Sequence, residues 1–493
     1  MLPILLVGGG PSGLTSAVHL QRSGVPHRLI ERRRGVHQLS KALSLSSSTL
    51  ELFEDLGLVE AALAAARLND AVQIFWKGRE LHDVSLAGIP SRYPFFAMLP
   101  QYETERLLRA RLAQLGGSVE EGTALVDLEA RADRVIATTE DDAGRRTRRP
   151  YAYVVGCDGA RSAVRRLAGI PFEGHDYPMY FAMCDAPVRW PGREGRWGYF
   201  VDEERFGILI PLSRTLHRVV VQDRGRFDPE RVWRREDFLW RLHGIGLAGI
   251  ELGELTWSTS ARFYNRLAGC FRKGRVFLVG DAAHLFSPIG GQGMNTGVQD
   301  AYNLAWRLAL CQRGLAREAL LDGYERERRP YAEGVRASTD AMTRVIARLD
   351  RDPRGPLRRF LPSARGGAFL AHTLPRRLAG LAAAYGVEPD GPPAAGRRLT
   401  RSRLHDPGGG RYVLAVAGGI SSAVVRLVRD YRAILALREL DPAEARALGL
   451  DHQSLLLVRP DRFVAYAGRC SSASDVAPLR EYVKVSHGGE SFL

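Results

Sequence analysis

The stretch "LPILLVGGGPSGLTSAVHLQRSGVPHRLIE", residues 2–31, decides the fold of this chain. An apolar run from Ile4 to Val7 has the length and branching of a buried parallel strand, and it ends at a glycine-rich turn before a helical pattern. A second strand, His27 to Ile30, ends at Glu31, where a carboxylate can accept hydrogen bonds from an adenosine ribose. The order of strand, turn, helix and strand predicts a dinucleotide-binding unit.

The turn itself, "GGGPSG" at residues 8–13, has glycines where each is needed. Gly8 allows a tight turn, Gly10 lets backbone amides approach a pyrophosphate, and Gly13 lets the helix pack close to the strand. Pro11 and Ser12 stand between these glycines at the helix N-terminus, where two linked phosphates bind favourably. Such a motif alone also occurs in ordinary loops; the strand, the helix and the acidic residue in register favour the binding site.

Length and charge limit the possible functions. A chain of 493 residues is expected to form more than one hydrophobic core. The formal net charge of +15 would suit nucleic acid or an anionic membrane, but it comes almost entirely from scattered arginine, since there are only four lysines. We therefore expect neither nucleic acid nor a membrane as partner.

The five cysteines are far apart, odd in number and never form a CxxC pair. This spacing predicts neither a disulfide framework nor a metal site. No uncharged apolar segment of membrane-spanning length occurs, and the N-terminus enters a strand directly, so the expected location is the cytoplasm.

A second motif, "YVVGCDGARSAVR" at residues 153–165, repeats the theme of a strand followed by a turn. The buried strand delivers Asp158, and Arg165 lies on the next helix. Asp158 suits a contact with a ribose or with the phosphate-binding turn; the alternative is a simple helix cap.

The third motif is "GRVFLVGDAAHLFSPIGGQGMNTGVQDAYNLAWRL", residues 274–308. Its strand delivers Gly280 and Asp281, and the turn from Pro288 to Gly293 opens a long helix. A glycine-rich helix start exposes several amides and the positive end of the helix dipole, which stabilises negative charge.

The pattern between the motifs changes from helical to alternating. Alternating, aromatic-bearing runs indicate antiparallel strands, which predict a substrate domain inserted into the dinucleotide-binding domain. Beyond a stretch rich in Gly and Pro, at 386–411, a small α/β unit follows. The expected division is 1–70, 99–173 and 263–390 for the dinucleotide-binding domain, 71–98 and 174–262 for the substrate domain, and 397–493 for the C-terminal unit.

Together the three motifs resemble the FAD-dependent aromatic hydroxylases, the single-component flavoprotein monooxygenases similar to para-hydroxybenzoate hydroxylase. The resemblance covers residues 1 to about 390. The tail "LVRPDRFVAY", residues 457–466, is similar to the thioredoxin-like domain of the phenol and polyketide hydroxylase branch. The resemblance implies an α/β chain with a Rossmann-like FAD-binding domain, an inserted antiparallel-sheet substrate domain and a thioredoxin-like C-terminal domain.

The resemblance also implies which residues hold FAD. The glycine turn would bind the pyrophosphate, Glu31 the adenosine ribose, and Asp281 the ribityl or phosphate region. Gln101 and Arg106 match residues along the flavin, although a cap and a surface charge are the plain alternatives for them. The implied cofactor residues are Gly8, Gly10, Pro11, Ser12, Gly13, Glu31, Arg32, Lys41, Gln101, Arg106, Leu125, Asp158, Arg165, Gly280, Asp281, Pro288, Gly291, Gln292, Gly293, Met294 and Asn295.

One segment departs from the family pattern. Where the family has Arg-Ala followed by His-Pro-Arg, this chain has Lys41-Ala42 and Ser46-Ser47-Ser48. Whether Lys41 replaces the usual arginine stays open.

The implied activity is hydride transfer from NADPH or NADH to FAD, reaction with O2 and transfer of one oxygen from a C4a-hydroperoxyflavin to an aromatic small molecule. Pro288, Gly290 and Gly291 would form the loop at the flavin edge. No side-chain base is assigned; Tyr180, Tyr199, His217 and His284 suit proton transfer, but a structural role is the simpler interpretation of each. A homodimer is also compatible with the resemblance.

Two alternatives come from other classes. One is another FAD enzyme on this fold, a halogenase or a reductase, although the WxWxIP motif of the halogenases is absent. The other is a non-catalytic flavin-binding protein. Salt-sensitive retention on DNA would support this alternative.

Overall fold

The structure, a computed structural model, describes residues 1–36, 42–191, 197–202, 205–223, 227–228, 230–288, 290–347, 363–385, 394–399, 404, 406 and 410–487. It is a mixed α/β protein whose described strands form several sheets. The strands in chain order are β1 Ile4–Val7, β2 His27–Glu31, β3 Ser44–Leu45, β4 Arg67–Asn69, β5 Ala71–Trp76, β6 Arg79–Ser85, β7 Phe96–Met98, β8 Glu120–Glu121, β9 Thr123–Ala130, β10 Val135–Asp141, β11 Arg146–Tyr151, β12 Tyr153–Gly156, β13 Phe172–Arg189, β14 Gly198–Val201, β15 Phe206–Pro211, β16 Leu216–Asp223, β17 Glu251–Leu252, β18 Trp257–Ala268, β19 Arg272–Lys273, β20 Val276–Leu278, β21 His284–Leu285, β22 Tyr412–Ala417, β23 Leu435–Leu440, β24 Ser454–Val458 and β25 Val464–Arg469.

Helices connect and cover these sheets. In chain order they are α1 Pro11–Arg22, α2 Ser47–Leu56, α3 Val59–Ala65, α4 Gln101–Gln114, α5 Ala163–Leu167, α6 Arg235–Gly244, α7 Gln292–Gln312, α8 Asp322–Ala347, α9 Ala364–Ala368, α10 Leu374–Leu378, α11 Ser422–Asp430, α12 Pro442–Ala447 and α13 Ala473–His487, with 3-10 turns at Gly280–Ala282 and Glu318–Leu321 and a π-helical turn at Phe369–Thr373. None of these described helices combines the length and the apolar composition that a membrane crossing requires.

The first sheet has the strand order β19-β20-β12-β1-β2-β8. Strand β1 pairs in parallel with β12 on one side and β2 on the other, so that Ile4 lies opposite both Tyr153 and His27. All four residues of β1 are buried, as expected for a strand covered on both faces. The carboxyl ends of β1, β2, β12 and β20 meet at one edge, which is where ligands of such sheets bind.

A second, mostly antiparallel sheet has the order β21-β18-β13-β16-β15-β14-β5-β6. Its long strands β13 and β18 pair over most of their length, and β14 pairs in parallel with β5. Residues 71–85 and 172–268 therefore contribute to one sheet. One face of this sheet carries an aromatic cluster that includes Phe181, Phe206 and Phe263, and Phe238 of α6 packs on the other face.

A four-stranded sheet near the C-terminus has the order β23-β22-β24-β25. Strand β22 runs parallel to β23 and antiparallel to β24. Its hydrophobic cluster includes Trp306 and Leu310, which belong to α7. Helix α7 also packs against α1, so one helix joins the C-terminal sheet to the glycine turn.

Candidate functional site

In the glycine turn after β1, side chains at two positions would collide with the backbone. Gly8 has a φ of +110°, and a Cβ atom there would collide with the carbonyl oxygen of Cys157; a Cβ on Gly13 would collide with the carbonyl of Gly8. At Gly10, by contrast, no described residue apart from its chain neighbours and its own helix backbone comes within 4 Å of the Cβ position. Helix α1 begins at Pro11 without a side-chain cap. Open space beside uncapped amides at a helix N-terminus fits a pyrophosphate.

Glu31 joins the end of β2 to this turn. Its Oε2 accepts a hydrogen bond from the Gly9 N–H at 2.7 Å, and its Oε1 accepts one from the Arg33 N–H at 3.0 Å. A carboxylate keeps further lone pairs that can accept ribose hydroxyls. Arg32 beside it is exposed.

Helix α4 brings a residue to the turn that the sequence motifs missed. A Cβ on Gly9 would lie 3.4 Å from Nη2 of Arg109. Nη1 of Arg109 donates to Glu121 Oε1 at 2.7 Å, while its buried Nε has no partner within the described structure. Arg109 therefore presents positive charge where a dinucleotide phosphate would lie.

The predicted residues on the same helix lie differently. Arg106, one turn before Arg109, is 61% exposed and pairs with Glu103 at 2.7 Å. Gln101 begins the helix, and its Nε2 donates to Glu105 Oε1 at 2.9 Å. Arg106 thus stands where a surface charge would, Gln101 is the first helical residue after Pro100 at the N-cap position, and Lys41 lies outside the described residues.

Leu125 and Met294 are the two large apolar side chains among the predicted cofactor residues. Leu125 lies on β9 and belongs to the core around the first sheet, and partly buried Met294 packs against that core. Both supply apolar surface and no polar group.

Asp158 stands after β12 and caps α5. Its Oδ1 accepts from Ser162 Oγ at 2.5 Å, and its Oδ2 accepts from the Ala163 N–H at 2.6 Å. Burial nevertheless raises the pKa of Asp158 above its usual value. The cap and a ribose contact are compatible, because each carboxylate oxygen has two lone pairs.

Arg165 ties this motif to the third one. Its Nη1 donates to the carbonyl of Ala282 at 2.8 Å, and its Nη2 donates to Ala160 O at 2.8 Å. The guanidinium also lies 3.8 Å from the centre of the Phe172 ring. Arg165 is therefore a brace between two strand ends, one of them next to Asp281.

Gly280 and Asp281 form the turn after β20. A Cβ on Gly280 would lie 2.6 Å from Ser12 Oγ and 3.5 Å from the Cα of Gly297, so only glycine fits between α1 and α7. This close approach places the Asp281 turn next to the start of α1. Asp281 itself is exposed, which suits a residue that meets a ligand hydroxyl.

The loop from Pro288 to Gly293 leads into α7. Gly291 caps the helix in the left-handed conformation with a φ of +63°. Gln292 Nε2 donates to the carbonyl oxygens of Gly290 and Leu378, at 3.0 and 3.1 Å. Beyond its chain neighbours and its own helix backbone, nothing in the described part of the chain comes within 4 Å of the Cβ position of Gly293. The hydrogen bonds of Gln292 hold the loop in place, and the start of α7 faces open space. The N-terminal amides of α7 therefore suit the stabilisation of an anionic ring.

Asn295 fixes the same loop to the start of α2. Its Oδ1 accepts from Thr49 Oγ1 at 2.7 Å and from the Ser46 N–H at 2.9 Å. Its Nδ2 donates to the carbonyl oxygens of Ser44 and Gly291, both at 3.0 Å. The serine segment that departs from the family pattern thus contacts the loop through Asn295.

Among the four proton-transfer candidates, Tyr199 lies at the loop. The Gly290 N–H donates to Tyr199 Oη at 3.2 Å. Burial raises the pKa of Tyr199 to about 12, so its O–H keeps its proton at neutral pH and stays a donor. His217 and His284 are buried, with Nδ1 of His217 bonded to Thr215 O and Nε2 of His284 to Asp300. Tyr180 packs edge-to-face on Phe227 in the cluster on the α6 side.

A cavity of about 1530 Å³ borders the loop at Gly290 and Gln292. Its walls come from β6, α8, the segment around α10 and the start of the C-terminal unit. The volume exceeds the roughly 300–1,000 Å³ usual for small-molecule sites. Apolar wall residues, among them Ile89, Phe369 and Leu381, suit an aromatic ligand.

Comparison with known proteins agrees with this geometry. The model of the FAD binding domain family matches residues 1–339. Pentachlorophenol 4-monooxygenase from Sphingobium chlorophenolicum is 35% identical over 348 residues, which cover 70% of this chain and 64% of that protein. 6-Methylpretetramide 4-monooxygenase from Streptomyces rimosus is 33% identical over 525 aligned positions, covering 96% and 91%. The solved structure of anhydrotetracycline hydroxylase from Streptomyces rimosus superposes with a TM-score of 0.82 at 28% identity and 99% coverage of both chains.

The family model matches more than half of the chain, and both of these relatives are more than 30% identical to it. The chain belongs to the FAD binding domain family, as a member of its FAD-dependent aromatic hydroxylases.

Proposed function

We propose that the protein is an NAD(P)H-consuming monooxygenase that hydroxylates a phenolic or polyketide-type aromatic molecule. The cavity that adjoins the Gly290 loop carries this proposal, because an aromatic compound bound there would lie beside the loop at which we expect the flavin edge. The balanced reaction takes ArH, O2, NAD(P)H and a proton to ArOH, NAD(P)+ and water. Bound FAD supplies the electron transfer and the O2 chemistry, and the chain supplies binding, orientation and a dry site.

In this proposal the residues at the sheet edge hold the cofactor. The N–H groups of Gly10, Ser12 and Gly13 and the Arg109 guanidinium bind the pyrophosphate, Glu31 the adenosine ribose, and Asp281 the ribityl chain. The loop from Gly290 to Asn295 meets the ring edge. Support comes from the open space at Gly10 and at Gly293, which no side chain of the described structure fills.

The substrate side of the site belongs to the antiparallel sheet. The aromatic cluster that includes Phe181 and Phe263 is buried on one face of this sheet, and Tyr199 keeps an O–H donor at the loop. We assign Tyr199 to orientation of the substrate oxygen, since its raised pKa makes it a poor base at neutral pH.

The proposed domain division has three parts, and its boundaries cut the antiparallel sheet, since β21 and the end of β18 fall in the FAD-binding range. The FAD-binding domain comprises 1–70, 99–173 and 263–390, the substrate domain 71–98 and 174–262, and the thioredoxin-like unit 397–493. Its support is the pairing of β14 with β5, which unites the two segments of the substrate sheet. The C-terminal sheet, with β22 between β23 and β24, is the support for the last unit.

A screen tests the function. Phenols, naphthols and hydroxyanthraquinones are added singly to the FAD-loaded protein, while NAD(P)H absorbance and product mass are followed. The proposal expects at least one compound that accelerates NAD(P)H consumption and gains one oxygen atom. Acceleration with hydrogen peroxide as the sole product would instead indicate an oxidase, and binding of FAD without any NAD(P)H consumption would indicate a non-catalytic flavoprotein.

A further inference from the structure

The cavity beside the Gly290 loop is positively charged. Its walls hold four arginines and one carboxylate: Arg376, Arg377, Arg397, Arg398 and Asp83. Three of these arginines are paired with neighbouring groups or face solvent.

Arg398 is paired. Its side chain is buried, and its Nη2 donates to Glu51 Oε2 at 2.9 Å. Glu51 Oε1 in turn accepts from Ser91 Oγ at 2.8 Å. Arg376 and Arg377 belong to α10, where Arg377 is exposed and Arg376 is partly buried with further contacts. Water or neighbouring protein groups therefore stabilise the positive charges of Arg376, Arg377 and Arg398.

Arg397, unlike Arg398, has no ion-pair partner among the described residues, although Arg398 Nε is likewise a buried donor without an acceptor. The Nε and Nη1 of Arg397 are buried and have no hydrogen-bond partner within the described structure. Its backbone is fixed, because its N–H donates to Ala394 O at 3.0 Å and its carbonyl accepts from the Val464 N–H at 2.8 Å. Buried donors without an acceptor are costly, and more so on a charged group. Arg397 lines the cavity, and an acceptor that enters it reaches these two shielded nitrogens when the guanidinium turns towards the cavity.

We propose that Arg397 is a specificity-determining residue that binds a carboxylate on the aromatic substrate, away from the ring that is hydroxylated. This inference rests on the proposed function for the aromatic part of the ligand. The cavity volume of about 1530 Å³ leaves room for several fused rings plus an acidic substituent. The substrate class is thus a multi-ring aromatic acid, and the start of the C-terminal unit contributes to its recognition.

A matched pair of ligands tests the assignment. A hydroxyanthraquinone carboxylic acid and its methyl ester are titrated into the FAD-loaded full chain, and the change in flavin absorbance gives both dissociation constants. The variants are Arg397→Gln, Arg397→Lys and, as a control, Arg429→Gln, whose arginine is 73% exposed on α11. The FAD content of each variant verifies that it folds.

The acid should bind the unaltered protein about ten- to hundredfold more tightly than the ester, as expected for a charge-assisted hydrogen bond. Arg397→Gln should remove this preference, Arg397→Lys should keep part of it, and Arg429→Gln should leave it unchanged. Equal binding of acid and ester, no binding of either, or a preference that survives in Arg397→Gln would overturn the proposal.

The same experiment separates the two proposals. If the acid binds through Arg397 but neither ligand accelerates NAD(P)H consumption or gains oxygen, the carboxylate site stands and hydroxylation of this class fails. If acid and ester are hydroxylated equally well, hydroxylation stands and the role of Arg397 fails.

Discussion

His284 Nε2 lies 2.5 Å from Asp300 Oδ2, and both side chains are completely removed from solvent. The other oxygen of Asp300 accepts from Arg328 Nε at 2.6 Å, and Oδ2 also accepts from the Gly280 N–H at 3.4 Å. Burial alone would raise the pKa of Asp300, but Arg328 and His284 outweigh it and hold that pKa below its usual value. Asp300 therefore joins α7, α8 and the turn that carries Asp281.

The first prediction concerns this carboxylate. Asp300→Asn should lower the free energy of unfolding by about 3–5 kcal/mol, because it leaves the buried Arg328 without its charge partner. The matched control is Asp322→Asn, since Asp322 is 59% exposed and pairs with Arg272, and a surface pair contributes at most about 1 kcal/mol. Chemical denaturation of the two apoproteins measures both changes. Equal losses of unfolding free energy in the two variants would show that Asp300 stabilises the fold no more than a surface carboxylate does.

The second prediction concerns Asp281. Asp281→Ala should fold and purify pale, because a charge-assisted bond to a ribityl hydroxyl contributes about 1.5–3 kcal/mol, or roughly ten- to hundredfold in FAD affinity. The FAD dissociation constant and the thermal midpoint of the apoprotein are measured together. An unchanged dissociation constant with a lowered midpoint would reduce Asp281 to a structural residue of the turn.

The third prediction concerns pH and the attachment of the C-terminal unit. Arg459 binds Glu327 through Nη1 at 2.7 Å, and Arg307 Nη2 lies 2.8 Å from the same carboxylate. Burial would raise the pKa of Glu327, but the two guanidinium groups hold it far below its usual 4.5. A depressed pKa stabilises the fold above the unfolded value, and this contribution is lost as the pH falls below about 4.5 towards the folded value.

Glu327→Gln should therefore reduce stability at neutral pH and flatten its decline in acid. Glu333→Gln on the same helix serves as control, because Glu333 is 52% exposed. Unfolding free energies from pH 7 downwards, measured with denaturant, decide the matter. Parallel pH curves for the Glu327 variant and the unaltered protein would contradict the prediction.

The fourth prediction concerns Cys470, which is 1% exposed in the core of the C-terminal unit. Burial raises the pKa of its thiol, and no second cysteine of the chain stands near it in sequence. Cys470→Ser should leave FAD content and turnover unchanged, as a structural role requires. Loss of turnover at normal FAD content would assign the unit a redox task.

Local rules explain how far the sequence could predict this site. The unit from Ile4 to Glu31 follows from a strand pattern, a glycine turn and a helix pattern within thirty residues. Asp158 and Asp281 could be placed because each ends a strand, and parallel strands end at one edge.

Other features depend on packing that no local pattern encodes. Arg109 rather than Arg106 reaches the glycine turn, because the burial of Leu108 and Leu112 sets which face of α4 lies against α1. Arg397 lines the cavity because its backbone pairs with Val464, a contact that a Gly- and Pro-rich stretch does not signal. Alternating patterns likewise reveal strands but not their neighbours, so the parallel pairing of β14 with β5 was beyond prediction.

A reaction with labelled oxygen shows whether the chain is a monooxygenase. With a compound that accelerates NAD(P)H consumption, the reaction is run under 18O2 in ordinary water, and product mass and NAD(P)H consumed are recorded together. The account predicts one 18O atom in each product molecule and one NAD(P)H consumed for each hydroxylation, apart from any hydrogen peroxide formed. A product without 18O, or one whose new oxygen comes from water, would contradict the assignment of this chain as a monooxygenase.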